Sequence, residues 1–241
     1  MKRYRFLVAA AALVFVLLPV RVLAAKSQPA VITPSFDARN FPRPTTINNP
    51  YFPLVPGTVF VYQETKNGHS EHDEVFVTRD TKKILGVTCV VVRDTVSIGG
   101  QVTEDTFDWY AQDKYGNVWY MGEDAKQYKN GVVDTSGSWQ AGVDGALPGY
   151  IMEAHPQVGD AYRQEYYPGV AEDMAQVLSL TASVSVPYGS WQGNALQTKE
   201  WSPLEPNVIE QKYYAPGVGM VRDVTVKGPT SESVLVAVNH Q

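Results

Sequence analysis

The chain has 241 residues, a formal net charge of −5, 44% hydrophobic residues and one cysteine, Cys89. A single cysteine excludes a disulfide framework within the chain, so packing alone must hold the fold. An acidic, aromatic-rich chain does not suit a polyanion-binding protein, and no nucleic acid partner is expected.

The first residues read Met-Lys-Arg-Tyr-Arg, followed by an apolar run from Phe6 to Val20 and then Arg21-Val22-Leu23-Ala24-Ala25. A basic start, an apolar centre and small residues at a cut site are the parts of a secretory signal. Cleavage is expected after Ala24, with Ala25 as the near alternative, giving a periplasmic or extracellular product. Pro19 and Arg21 interrupt the run before the roughly 20 apolar residues of a permanent anchor. No cysteine follows the run at a lipidation position, and no later stretch predicts a stable transmembrane segment. Removing residues 1–24, which carry Lys2, Arg3, Arg5 and Arg21 and no acid, takes the net charge to −9.

Residues 25–48 hold Pro29, Pro34, Pro42 and Pro44, which oppose helix and central strand alike. They predict an extended lead-in, wrapped on the domain or loose, before a single domain over 49–241. From there the dominant period is two. Thr58–Tyr62, Glu74–Thr78, Val87–Val92, Gln176–Val186 and Val221–Val226 are rich in β-branched and aromatic residues, with turn clusters between them. Many short strands at close spacing predict an all-β antiparallel sandwich or barrel. One short helix is expected around Ala171–Ala175. Cys89, inside the β-branched run 87–92, reads as a buried structural thiol.

The chain also resembles itself. Pro53–Phe60 answers Pro156–Tyr162, and Phe107-Asp108-Trp109-Tyr110-Ala111 answers Gln211-Lys212-Tyr213-Tyr214-Ala215. Two similar β-meander repeats, about 53–124 and 156–226, are expected to close one shared core. The connection 125–155 contains Gly137, Gly142, Gly145 and Gly149 around Trp139, and reads as a loop that could act as mouth or lid.

Several groups could carry chemistry. His69-Ser70-Glu71-His72-Asp73-Glu74 is the densest set of metal-type ligands, and a hairpin loop could turn His69 and His72 toward zinc or copper. Asp113-Lys114-Tyr115-Gly116-Asn117-Val118-Trp119 reads as a self-capped turn, with calcium as the functional alternative. Glu104 and Asp108 share a strand face, but i and i+4 on a strand lie roughly 13 Å apart, too far for a glycosidase pair. Arg163 and Glu165 are expected on one strand face and Tyr162 and Tyr166 on the other. That pair would be an exposed ion pair unless the strand lines a cavity. Glu172 and Asp173 could form an anionic rim or the first turn of the short helix. No nucleophile elbow, phosphate loop or dinucleotide fingerprint is present.

The motifs Trp139–Gly149, Tyr162-Arg163-Gln164-Glu165-Tyr166 and Lys212-Tyr213-Tyr214-Ala215-Pro216-Gly217-Val218-Gly219 resemble a group of secreted bacterial β-proteins of unassigned activity. The resemblance spans about 49–226 and implies export and β architecture, with no chemistry to carry over.

The expected function is therefore ligand binding in an aromatic-lined cleft, by a chain with 14 Tyr, 5 Trp and 8 Phe. Its candidate residues are Trp139, Asp144, Arg163, Glu165, Glu172, Asp173 and Tyr214, and its ligand a small molecule or polymer. The alternatives are a secreted hydrolase, metal-assisted or not, using carboxylates such as Asp144, Glu165, Glu172 and Asp173, and a structural envelope component.

Overall fold

The computed structural model describes residues 30–241. The expected signal segment lies outside the described residues. Strands dominate: β1 (Ile47–Asn49), β2 (Phe52–Leu54), β3 (Thr58–Lys66), β4 (His69–Ile84), β5 (Val87–Ile98), β6 (Gln101–Gln112) and β7 (Val118–Lys129). Four short pieces follow, β8 (Val132–Asp134), β9 (Trp139–Gln140), β10 (Leu147–Met152) and β11 (Ala161–Arg163), then β12 (Glu165–Tyr166). The second half is β13 (Met174–Val186), β14 (Gly189–Trp201), β15 (Ile209–Ala215), β16 (Gly219–Lys227) and β17 (Ser231–His240). The only helical turn among the described residues is a 3-10 turn at Ala38–Asn40.

The strands pair in the order β11-β13-β14-β15-β16-β17-β3-β4-β5-β6-β7-β10-β12, all antiparallel. Two meanders, β3 to β7 and β13 to β17, are thus joined where β17 returns to lie beside β3. The far ends of this order meet as well. β11 pairs with β13 and β12 with β10, and only Gln164 separates β11 from β12. Residues 161–166 therefore act as one kinked strand that changes partner at Gln164, turning an open sheet into a nearly closed barrel. Closure removes the long unpaired edges that either meander alone would expose.

The kink depends on Gly149. A Cβ there would lie 2.3 Å from the Arg163 carbonyl oxygen and 2.6 Å from the Gln164 carbonyl carbon. Those are backbone atoms that cannot rotate away. Gly149→Ala should therefore destabilise the fold by several kcal/mol, on the order of a severe core lesion. Chemical denaturation that finds it within about 0.5 kcal/mol of the parent would remove Gly149 from this role.

The interior core mixes the two meanders: Phe60, Tyr62, Val77, Val90 and Val92 from one pack with Val184, Leu196, Tyr214, Val221 and Leu235 from the other. A second cluster packs mainly on the outer face of β5 to β7, with Cys89, Trp109, Trp119 and Met121. Cys89 is buried, and burial pushes its thiol up to about 12.

The proline-rich lead-in, where described, is a covering strap rather than a loose one. Ile32 N donates to the Ala161 oxygen and its own carbonyl accepts from Arg163 N. Phe36 and Phe41 pack on Trp119 with centroids 5.6 and 5.8 Å away. Proline removes donors without preventing side-chain packing, so a chain unable to join a ladder still seals an apolar face.

Two sequence expectations are corrected here. No helix forms around Ala171–Ala175. Gly169 takes φ 77°, Glu172 Oε1 accepts from Gly169 N, Ala171 bridges Tyr167, and β13 begins at Met174. Glu172 thus closes a tight turn. Nor is 125–155 one long loop: β7 runs on to Lys129, and β8 and β9 fold back along it.

Candidate functional site

Alternation along each strand decides what faces the barrel interior, and cross-strand register links the strands. Tyr62 lies opposite Asp73, Val75 opposite Asp94, Asp94 opposite Thr106 and Asp108 opposite Glu123. In the other meander Thr198 lies opposite Lys212, and Lys212 opposite Asp223. The interior is apolar toward β2 and becomes acidic toward the turns Asn67–Gly68, Gly99–Gly100 and Asn130–Gly131.

Where these zones meet there is a cavity of about 210 Å³. Phe52, Phe60, Val75, Val92, Ile151 and Met220 supply its apolar lining, and Tyr62, Tyr110 and Tyr214 its phenolic wall. Its polar side chains are Asp94, Asp108 and Lys212. Tyr62 donates to the Met220 carbonyl at 2.9 Å, tying the two meanders across this space.

The charge balance around the cavity is one-sided. Lys212 Nζ is held 2.8 Å from Glu200 Oε2 and 3.8 Å from Asp223 Oδ2. Glu200 Oε1 also accepts from Thr198 at 2.9 Å and from Tyr214 at 3.1 Å. Burial alone would lower the Lys212 ammonium, but Glu200 and Asp223 outweigh it and raise it. Lys212 is therefore already committed. Among the described residues the remaining carboxyls, Asp73, Asp94, Asp108 and Glu123, have no salt-bridge partner. Burial pushes Asp108 up to about 7, helped by Asp94 and opposed by the Tyr120 hydroxyl that donates to it at 2.6 Å. Burial and Asp108 push Glu123 up to about 8. Asp94 is raised well above the carboxylate range by burial and by Asp73, and Asp73 is raised to about 6. Neither Asp94 Oδ1 nor Asp73 Oδ1 has a hydrogen-bond donor. Facing carboxyls without donors are satisfied only by holding a proton between them.

Of the sequence-level candidates, Tyr214 lines this cavity. Glu165 and Asp173 adjoin the same interior charges, Glu165 beside Glu123 and Asp173 beside Lys212 and Glu200, while Asp144 lies apart. Trp139 is buried opposite Glu123 and so shares the inward face, edge-on to Tyr120 at 5.3 Å, and its indole faces the Glu165 carboxyl. Asp144 occupies an exposed turn with φ 49°. Glu165 is buried and raised, by burial first and then by Asp173 and Glu123. Asp173 lies at the surface beside it, and its main-chain oxygen accepts from Gln164 N.

Arg163 and Glu165 form no ion pair among the described residues. The partner change at Gln164 breaks the alternation that would have aligned them, and Arg163 instead stacks over Tyr166 at 4.3 Å. Of the carboxylates proposed for hydrolysis, Glu165 and Asp173 lie side by side, whereas Asp144 and Glu172 occupy separate turns.

His69 and His72 sit within strand β4 rather than on a loop. Three residues apart on a strand they project from opposite faces, and His72 Nε2 lies 3.2 Å from Glu74 Oε1. No group of three metal-type ligands occurs among the described residues. The Asp113 turn satisfies itself: its carboxylate accepts from Tyr115 N, Asn117 N, Asn117 Nδ2 and Trp119 Nε1. No described helix is long and apolar enough to cross a membrane.

The residues that sequence reasoning missed are Asp94, Glu123, Glu200, Lys212 and Asp223. Read along β6 alone, Glu104 and Asp108 form an isolated pair, and only the neighbouring strands reveal the wider cluster.

No family model and no curated protein matches the chain. Two solved structures share 15% identity with it and cover 78% of this chain and 98% of their own. One is a protein from Bacteroides fragilis inferred to be exported, with a YmcC-like fold (TM-score 0.48). The other is a lipoprotein, again by inference, from Parabacteroides distasonis (TM-score 0.47).

Proposed function

We propose that the chain is an exported β-barrel domain that binds a small ligand with an apolar body inside the barrel. The supporting observation is the interior cavity of about 210 Å³, which has an apolar lining, three tyrosines and a polar edge. Ligand sites are typically concave and mostly apolar, with a few placed polar groups, as here. Export rests on the three-part N-terminal segment. We also read the two meanders as one duplicated unit. Gly57 N donates to the Val77 oxygen at 2.8 Å and Gly159 N to the Val177 oxygen at 2.9 Å, with φ values of 95° and 102°.

The neutral fluorescent probe N-phenyl-1-naphthylamine tests the binding site. Its emission should rise on saturable uptake by the protein, and Val75→Phe, which fills the cavity, should reduce affinity at least about tenfold, or about 1.4 kcal/mol. Uptake that Val75→Phe leaves intact would place the probe elsewhere and defeat this reading.

A further inference from the structure

We propose that the cavity takes an organic ammonium ligand, with its apolar body among Phe60, Val75, Val92 and Ile151 and its N–H groups donated to Asp94 and Asp108. The inference rests on the lumen-binding reading above and names its ligand class. Three observations carry it. The cavity places an apolar lining directly beneath two carboxyls. Asp94 Oδ1 is fully buried and has no donor, while Asp108 is met by the single hydroxyl of Tyr120. The one basic residue at the cavity, Lys212, is held by Glu200 and Asp223.

An anionic ligand would find no uncommitted positive charge and would meet uncompensated carboxyls. A neutral alcohol could donate one hydrogen bond but would bring no charge to compensate the acids once they ionise. An ammonium group supplies both missing components, since it donates up to three hydrogen bonds and brings a charge into a low-dielectric setting where ion pairing is strong. Phenolic and phenyl walls add favourable contacts for a cation.

Proton balance follows from the same geometry. Without a ligand, the facing Asp73 and Asp94 carboxyls hold a proton, and burial favours the neutral form of Asp108. The groups bearing on them are Glu64 from β3, Glu104 from β6 and Glu123 and the Tyr120 hydroxyl from β7, with Tyr62 and Tyr110 also facing them and Lys212 from β15 lining the same cavity. An entering ammonium takes over the compensating role, so the carboxyls release protons to solvent as it binds. Affinity should therefore rise with pH.

Titration calorimetry of the whole chain with octylammonium, octanol and octanoate tests this at pH 6 and pH 8, each in two buffers of different ionisation heat. At pH 8 octylammonium should bind at least tenfold tighter than octanol, with octanoate weakest. Its affinity should fall at pH 6, and its heat should show net proton release. Asp94→Asn and Asp108→Asn should each cut the ammonium preference at least fivefold while octanol binding persists, which also reports an intact cavity. Octanol binding as well as octylammonium, or a preference unchanged in both variants, would overturn the inference and leave the binding-site reading standing. No binding by any of the three, together with no uptake of the naphthylamine probe, would overturn both.

Discussion

Replacing Lys212 by Met should lower the melting temperature at pH 7.5 by about 5–10 °C, equivalent to roughly 2–3 kcal/mol for a domain of this size. Among the described residues Lys212 is the cation paired with the inward carboxyls, 2.8 Å from Glu200 and 3.8 Å from Asp223. Breaking a fully buried pair by removing one partner costs about 3–5 kcal/mol, because the other charge is stranded. Two features reduce that figure. Lys212 keeps 25% of its side chain accessible, and Glu200 retains the hydroxyls of Thr198 and Tyr214.

The double variant Lys212→Met with Glu200→Gln should recover much of the loss, because no uncompensated charge then remains at Glu200. A double-mutant cycle measures that coupling directly. A single variant melting within about 1 °C of the parent would mean that solvent already screens the pair.

The second large effect is a dependence of stability on pH that runs opposite to ordinary acid denaturation. Asp73 is raised to about 6, Asp108 to about 7 and Glu123 to about 8, each by burial first. A carboxyl whose folded-state value lies above its unfolded value favours the fold fully below the unfolded value. That contribution is lost as pH rises through the folded value. The window is therefore from about pH 4 to about pH 8, with stability falling as pH rises across it.

Asp108→Asn separates this from other titrations. The amide keeps an acceptor for the Tyr120 hydroxyl and cannot ionise. Each pKa unit corresponds to about 1.4 kcal/mol, so the variant should gain on the order of 2–4 kcal/mol at pH 8 and no more than about 1 kcal/mol at pH 4.5. Melting curves at the two pH values decide the matter. A gain of equal size at both would point to packing instead of ionisation.

The strands were legible because their period of two is strong. Tyr62, Val75 and Val92 alternate with more accessible neighbours, and the Gly-containing turns mark the ends. The interior chemistry was harder to read, for a reason specific to this barrel. β6 is buried on both faces: Trp109 belongs to the outer cluster while Asp108 and Tyr110 face the lumen. With large aromatics on both sides, alternation shows which residues share a face but not which face is inside.

Glu104 and Asp108 therefore looked like one distant pair on a single strand. Their partners Asp73, Asp94 and Glu123 come from neighbouring strands, and register joins them only once β4, β5 and β7 are aligned. Arg163 and Glu165 failed differently. Regular alternation was the wrong rule for a segment that changes partner at Gln164. The Gly149 that permits the change was visible in the sequence, but its close contact with Arg163 is long-range.

The pairing of β17 with β3 has a consequence for how the barrel is assembled. Ser231 Oγ donates to Glu64 across 167 positions of chain, so the seam between the meanders is sewn by residues near its end. Such distant contacts carry a large loop-closure cost and slow folding. The first meander, once formed, must wait with its β3 edge unprotected until β17 has emerged. A polypeptide threaded through a membrane in extended form would be helped by that delay, since it cannot lock shut before it has crossed.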